Sequence, residues 1–261
     1  MIRYIQGSFY FIQNWAANTI LRRKSNVPGA LIACVLVPFD NSIDTVDEFP
    51  EMMQIFFPFF CFLMFVPLLY RSVYRIVYEK SSNTKESLKM MGMNEASYWL
   101  SWFAYYTLLN TVMVSMAIPV LSIGVFQRQS MATLWLAKWL YGQSLFGLVM
   151  ITQSLFMAPR AAAISTTGIY FGLTMLSGFF DEDTTRTNKF ILYSLLPQVT
   201  MQETMKAFVA FEHTIGMTQA TWAVEYNDIS LKEAYICFVV SGSLLMLLGF
   251  YMEAVMPKNL G

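Results

Sequence analysis

Charge is scarce in this 261-residue sequence: Asp, Glu, Lys and Arg together make up 13% of it, against 56% apolar residues. A soluble globule of this length needs more polar surface than that, so a water-soluble fold is excluded. Histidine occurs once, at His213, with no cluster of partners nearby in sequence, and reads as an ordinary surface residue. Three cysteines, Cys34, Cys61 and Cys237, stand in apolar surroundings without metal-ligand spacing. They read as small core hydrophobes, and neither a metal centre nor a disulfide framework is implied. No Ser-His-Asp, paired-carboxylate or metal constellation occurs, so the sequence predicts no catalytic residues and no cofactor. No Gly-x-x-x-x-Gly-Lys-[Ser/Thr] loop is present to cradle nucleotide phosphates, which predicts that the chain alone does not hydrolyse ATP. Asn-x-[Ser/Thr] acceptors are missing as well, which removes one positive sign of secretory-pathway exposure.

What the sequence does have is long charge-free stretches: Met52 to Tyr70, Ala96 to Gln127, Trp139 to Pro159, Ala161 to Phe180 and Ala234 to Met252. Each is near the roughly 20 residues that cross a hydrocarbon core as a helix. Lipid offers the backbone no hydrogen-bond partners, and the runs lack the alternation of a barrel strand, so they predict an all-α polytopic membrane bundle of about five spans. The segment Arg71 to Glu95 carries Arg71, Arg75, Lys80, Lys85 and Lys89 against Glu79, Glu86 and Glu95. Excess base places it on the cytosolic side or its topological equivalent. The acids Asp40, Asp44, Asp47, Glu48 and Glu51, with no base among them, place the preceding connection outside, and the acid-rich stretch from Asp181 to Glu233 follows it.

Two regions differ in character. Residues 1–50 hold Arg3, Arg22, Arg23 and Lys24 with no acid before Asp40, and Ile5, Phe9, Ile12, Ala16 and Ile20 recur at helical spacing. That predicts an interfacial amphipathic helix followed by an acidic outer loop, and the acid-free basic start is compatible with mitochondrial targeting. Residues 51–261 form the bundle. Pro58 and Pro67 should bend its first span, since each removes a backbone donor. Tyr98, Trp99 and Trp102 at the start of the second span, and Trp135 and Trp139 at the start of the third, read as interfacial anchors. The turns at Gln127 to Ser130 and at Met157 to Arg160 are short enough to make their flanking spans antiparallel neighbours. The apolar spacing of Asn188 to Leu196 and Met201 to His213 predicts two short re-entrant helices in the outer segment.

The loop reads Glu79-Lys80, then Lys85-Glu86-Ser87-Leu88-Lys89-Met90-Met91-Gly92-Met93, then Trp99-Leu100-Ser101-Trp102-Phe103. Further on come Phe156, the alanines after Arg160, Gly168-Ile169-Tyr170-Phe171, and Tyr251-Met252-Glu253-Ala254-Val255 with Pro257 and Gly261. In this order the motifs resemble the second part of one transmembrane domain of the A subfamily of ATP-binding-cassette (ABC) transporters, the ABC-2 type membrane domain, a group associated with lipid export. The resemblance covers residues from about 50 onward and implies that the inner loop is a coupling helix docking into a nucleotide-binding domain. Its residues here would be Glu79, Lys80, Lys85, Glu86, Lys89, Met90, Met91 and Gly92, with a second contact at the inner turn, Pro159 and Arg160. The sequence departs from the family at Ser81, Ser82 and Asn83 and at Pro159-Arg160, all cassette-facing positions. The expectation is a chain lacking the family's first transmembrane helix, its large outer domain and its nucleotide-binding domain.

Two functions follow as expectations. One is a half-permease that pairs with a second transmembrane half and separate nucleotide-binding subunits to move membrane lipids, with Asn110, Gln143 and Gln153 as polar residues of the pathway. The other is an orphan accessory subunit of a larger membrane complex, for which the mitochondrial inner membrane is a candidate location. Neither implies a nucleic-acid partner.

Overall fold

A computed structural model of the chain describes residues 9–25, 59–124, 126, 129–177, 186–212, 225–226 and 229–256. Pro58, Cys34 and His213 lie outside the described residues. The chain divides into two compact units, Met1–Asp47 and Glu48–Gly261. The first contains helix α1 (Phe9–Ser25), whose last turn carries Arg22, Arg23 and Lys24, cations that suit the carbonyl end of a helix dipole.

The second unit is built from α2 (Val66–Ser81), α3 (Thr84–Met90), α4 (Glu95–Gly124), α5 (Met131–Leu155), α6 (Pro159–Ser177), α7 (Arg186–Leu195), α8 (Pro197–Glu212) and α9 (Leu231–Val255). A two-residue antiparallel pair, β1 (Glu225–Tyr226) with β2 (Ile229–Ser230), leads into α9. Ser230 and Glu233 close a capping box at the start of α9, each satisfying the other's backbone amide.

Among the described residues, four helices are long and apolar enough to cross a membrane: Phe59–Ser81, Glu95–Ser122, Met131–Leu155 and Leu231–Val255. The remaining charge-free run, Ala161 to Phe180, contributes to α6, helical over 19 residues, but Arg160, Ser165, Thr166, Thr167 and Thr174 dilute it below the other four. Thr166, Thr167 and Thr174 fold their hydroxyls back onto the carbonyls of Ala162, Ala163 and Tyr170, so none is left unsatisfied against an apolar neighbour.

The first span is interrupted where its proline demands. The helix stops at Met64 and Phe65 and restarts at Val66 with Pro67 in the first turn. The Tyr170 hydroxyl donates to the Phe62 carbonyl at 3.1 Å beside this break, and shares a 3.1 Å hydrogen bond with the Tyr141 hydroxyl. One tyrosine of α6 therefore ties the bend to α5.

The third span begins earlier than its charge-free run: α5 starts at Met131 rather than Trp139 because Lys138, which ends the run in sequence, is fully buried within the helix. Helix α5 is the hub, packing against α4, α6, α8, α9 and α2. Its approach to α9 is set by glycines. A Cβ on Gly249 would lie 2.5 Å from Met150 Cβ, and one on Gly147 would collide with Leu245, so these two positions let the backbones close up as small residues do in membrane helix pairs.

The outer segment holds the two short helices expected, as α7 and α8. Helix α8 is buried along Pro197 to Thr200 and at Met201, Thr204, Met205, Ala207, Phe208 and Val209. Its Met205 sulfur accepts from Cys61 of the first span at 3.8 Å, and its Phe208 carbonyl accepts from the Gln129 side chain at 2.8 Å. Helix α8 thus packs among the spans, against α5, α6 and α9.

Candidate functional site

The inner loop forms an elbow, α2–α3–α4, whose two corners are set by backbone rather than side chain. Asn83 enters α3 in the left-handed region at φ 57° and is the one non-glycine positive φ among the described residues. Gly92 leaves it at φ 93°. There the Met93 amide bonds the Leu88 carbonyl at 3.1 Å and the Gly92 amide bonds the Lys89 carbonyl at 3.0 Å. That is the Schellman arrangement, in which the αL position favours glycine.

Four charged residues of the elbow, Glu79, Lys80, Lys85 and Lys89, find partners in the bundle. Lys85 ion-pairs with Glu253 in the last turns of α9 and with Glu95 at 3.4 Å, and Lys89 reaches Glu95 at 3.0 Å. The Lys85 ammonium also sits over the rings of Trp99 and Tyr98, at 4.7 and 5.1 Å from their centroids. Glu79, near the end of α2, accepts from the Tyr98 hydroxyl at 3.1 Å and the Trp102 indole at 3.2 Å. Tyr98 and Trp102 are therefore braces of the elbow; the polar end of each ring is held by a carboxylate. Lys80 crosses to the end of α5, donating to the Gln153 carbonyl at 3.0 Å and the Ser154 carbonyl at 3.5 Å, where the helix leaves its last carbonyls without intrahelical partners.

Ser81, Ser82, Asn83, Thr84 and Ser87 line the outward side of the elbow together with three larger side chains. Glu86 is exposed, Met90 is 90% exposed and Met91 76%. Beyond α5, Pro159 opens α6 at its first position and Arg160 is exposed beside it. The bond from Lys80 to the end of α5 puts this second inner turn at the same end of the bundle as the elbow.

The three polar candidates of the spans do not share one place. Asn110 and Gln143 meet on the α4–α5 seam, Asn110 donating to the Trp139 carbonyl at 3.1 Å and Thr107 donating to the Gln143 amide oxygen at 3.1 Å. Asn110 Oδ1 and Gln143 Nε2 are buried without a hydrogen-bond partner. Gln153 lies ten residues further along α5, about 15 Å away, and bonds its neighbour Ser154 at 3.1 Å. The sequence reading missed two further seam bonds: Trp135 and Trp139 donate to Ser115 at 3.1 Å and Thr111 at 2.9 Å. These indoles join α4 to α5. Tryptophan opposite serine and threonine on an antiparallel neighbour was the signal available.

No family model matches the chain. It is 24% identical to the human protein "Cholesterol transporter ABCA5", over 99% of this chain and 16% of that protein. It is 23% identical to the human "Retinal-specific phospholipid-transporting ATPase ABCA4", over 99% of this chain and 12% of that protein. With "ABC transporter A family member 7" of Dictyostelium discoideum it shares 26% identity over 79% of its own length and 24% of the relative's. The chain thus spans less than a quarter of the length of these relatives. Along nearly its whole length, it is related to a portion of the A-subfamily ATP-binding-cassette transporters.

Proposed function

We propose that the chain is the transmembrane half-permease part of an A-type ABC transporter, moving lipid between bundle and bilayer under the drive of nucleotide-binding subunits that dock on the elbow. The observation that carries this reading is the braced elbow itself: α3 is pinned to α4 through Glu95 and to α9 through Glu253, while Glu86, Met90 and Met91 face out. A short helix fixed to two spanning helices transmits a push to both, whereas a solvated loop would absorb it. The charge-rich elbow side would be cytosolic or its topological equivalent, with a second transmembrane half completing the pathway. The chain itself would perform no catalysis. Co-purification with a nucleotide-binding subunit, followed by ATP-dependent redistribution of fluorescent lipid in proteoliposomes, tests the reading. A native complex without any nucleotide-binding fold would overturn it.

A second reading is favoured by a specific feature: Glu79, Lys80 and Lys85 are all engaged within the bundle, so the outward elbow offers few charges to a docking domain. In that reading the chain is a transporter-derived accessory subunit of a larger membrane complex, with the mitochondrial inner membrane a candidate location. An unrelated subunit covering Met90 and Met91 in the native assembly would favour it.

A further inference from the structure

The spans present two kinds of outward face. On α4 and α9 that face carries no charge from Ala96 to Gly124 and from Ala234 to Met252, and side chains such as Leu108, Met116, Leu244 and Leu247 are exposed there. Hydrocarbon tails cover such a surface as well as another leucine would. Helix α2 is different. Its Leu69, Val73, Ile76 and Val77 are buried, while Tyr70, Arg71, Arg75 and Tyr78 are exposed, with Tyr74 half-buried among them. The three tyrosines stack in a row, with ring centroids 6.4 and 6.3 Å apart and planes within 11° of parallel. Arg75 donates to the Tyr105 hydroxyl of α4 at 3.2 Å. The Arg71 guanidinium and the hydroxyls of Tyr70, Tyr74 and Tyr78 have no hydrogen-bond partner or ion pair among the described residues.

We infer that this face of α2 is the docking surface for a membrane-spanning helix from outside residues 1–261, one that carries a carboxylate opposite Arg71. Depth decides between protein and lipid. Arg71 lies near the midpoint of the span Phe59–Ser81, about 15 Å from its elbow end, where a bare guanidinium or phenol hydroxyl is costly against hydrocarbon. A headgroup at the elbow end meets Tyr78 and Arg75 first; Tyr70 and Arg71, two turns deeper, call for acceptors that cross the membrane beside them. Charge decides against a second copy of this chain. A twofold contact of α2 with α2 sets Arg71 against Arg71, and the charge-free lengths of α4 and α9 offer it no acid. The tyrosine row adds rigid aromatic contact, with hydroxyls placed to bond across the seam as the indoles of α5 bond to α4. The inference rests on the half-permease reading for the existence of a second transmembrane half; its test involves neither ATP nor lipid movement, so the two fail separately.

Photo-crosslinking of the full chain in native membranes tests the face, with benzoylphenylalanine replacing Tyr74 in one variant and Leu108 in another and the adducts identified by mass spectrometry. Position 74 should label a spanning polypeptide segment that contains Asp or Glu, and position 108 should label lipid. Arg71→Gln should lower recovery of the labelled partner in mild detergent by about tenfold, and Arg71→Lys by much less, since the ammonium keeps the charge. Both variants should keep the helical signal and unfolding midpoint of the unaltered chain, because Arg71 is exposed. Lipid adducts alone at position 74, adducts with a second copy or with another part of residues 1–261, or full partner recovery in Arg71→Gln would each overturn the proposal. ATP-driven lipid movement alongside lipid-only adducts at position 74 would remove this face while leaving the transport reading in place.

Discussion

Lys85 on α3 and Glu253 near the end of α9, 168 residues apart in sequence, form a part-buried ion pair, with 13% and 16% of their side chains exposed. The pair fastens the elbow to the last spanning helix. Lys85→Met and Glu253→Gln should each lower stability by about 2 kcal/mol, short of the cost at a fully buried pair because both groups keep some exposure. The double variant should cost clearly less than the sum of the two. Thermal unfolding in detergent, followed as a double-mutant cycle, measures the coupling; additive losses would show that the two residues act independently.

Gly92 closes the elbow in the left-handed region with nothing within 4 Å of an added Cβ, so its substitution probes backbone strain alone. Gly92→Ala should cost about 1 kcal/mol, and Gly92→Asn less, because Asn tolerates αL. The readout is the unfolding midpoint together with protease susceptibility at the elbow. Equal tolerance of Ala and Asn would mean the corner does not depend on this φ.

The α5–α9 interface responds to volume. Gly249→Leu places atoms where Met150 already sits and should destabilise by about 2 kcal/mol or more. Gly172→Ala in α6 meets nothing within 4 Å and should be neutral or stabilising by about 0.5 kcal/mol from helix propensity. Unfolding in matched detergent conditions separates the two; a similar response at both sites would contradict the close approach.

Asn110 makes one hydrogen bond and leaves its amide oxygen without one. Replacing it by Leu loses a weak membrane hydrogen bond and also removes a buried orphan, so stability should change by less than about 1 kcal/mol. If Asn110 and Gln143 line the lipid pathway, the same variants should slow lipid movement in proteoliposomes several-fold. Unchanged movement in folded Asn110→Leu and Gln143→Leu would remove these residues from the pathway.

Some of this architecture was legible residue by residue. Pro67 announces its own break, because a missing N–H acts locally whatever surrounds it. The short turns after α4 and α5 and the helices of the outer segment follow from spacing alone. Lys138 misled because a charge in sequence marks the end of a span only when it reaches solvent, and burial is a tertiary property. Glu79, Lys80 and Lys85 stand out in the loop as a charged cluster, yet which way each points depends on Trp102, Gln153 and Glu253. Those partners lie 23, 73 and 168 residues away in sequence. The second inner turn and the elbow could be listed as separate motifs, but their common location needs the Lys80 bond to α5.

The central claim is that the outward face of the elbow receives a nucleotide-binding domain. A photo-reactive maleimide placed on Met91→Cys in native membranes, with the adduct identified by mass spectrometry, tests it most directly. The account predicts an adduct with a polypeptide segment of a P-loop nucleotide-binding domain, strengthened or weakened when ATP is added. An adduct with an unrelated membrane subunit, insensitive to nucleotide, would contradict it.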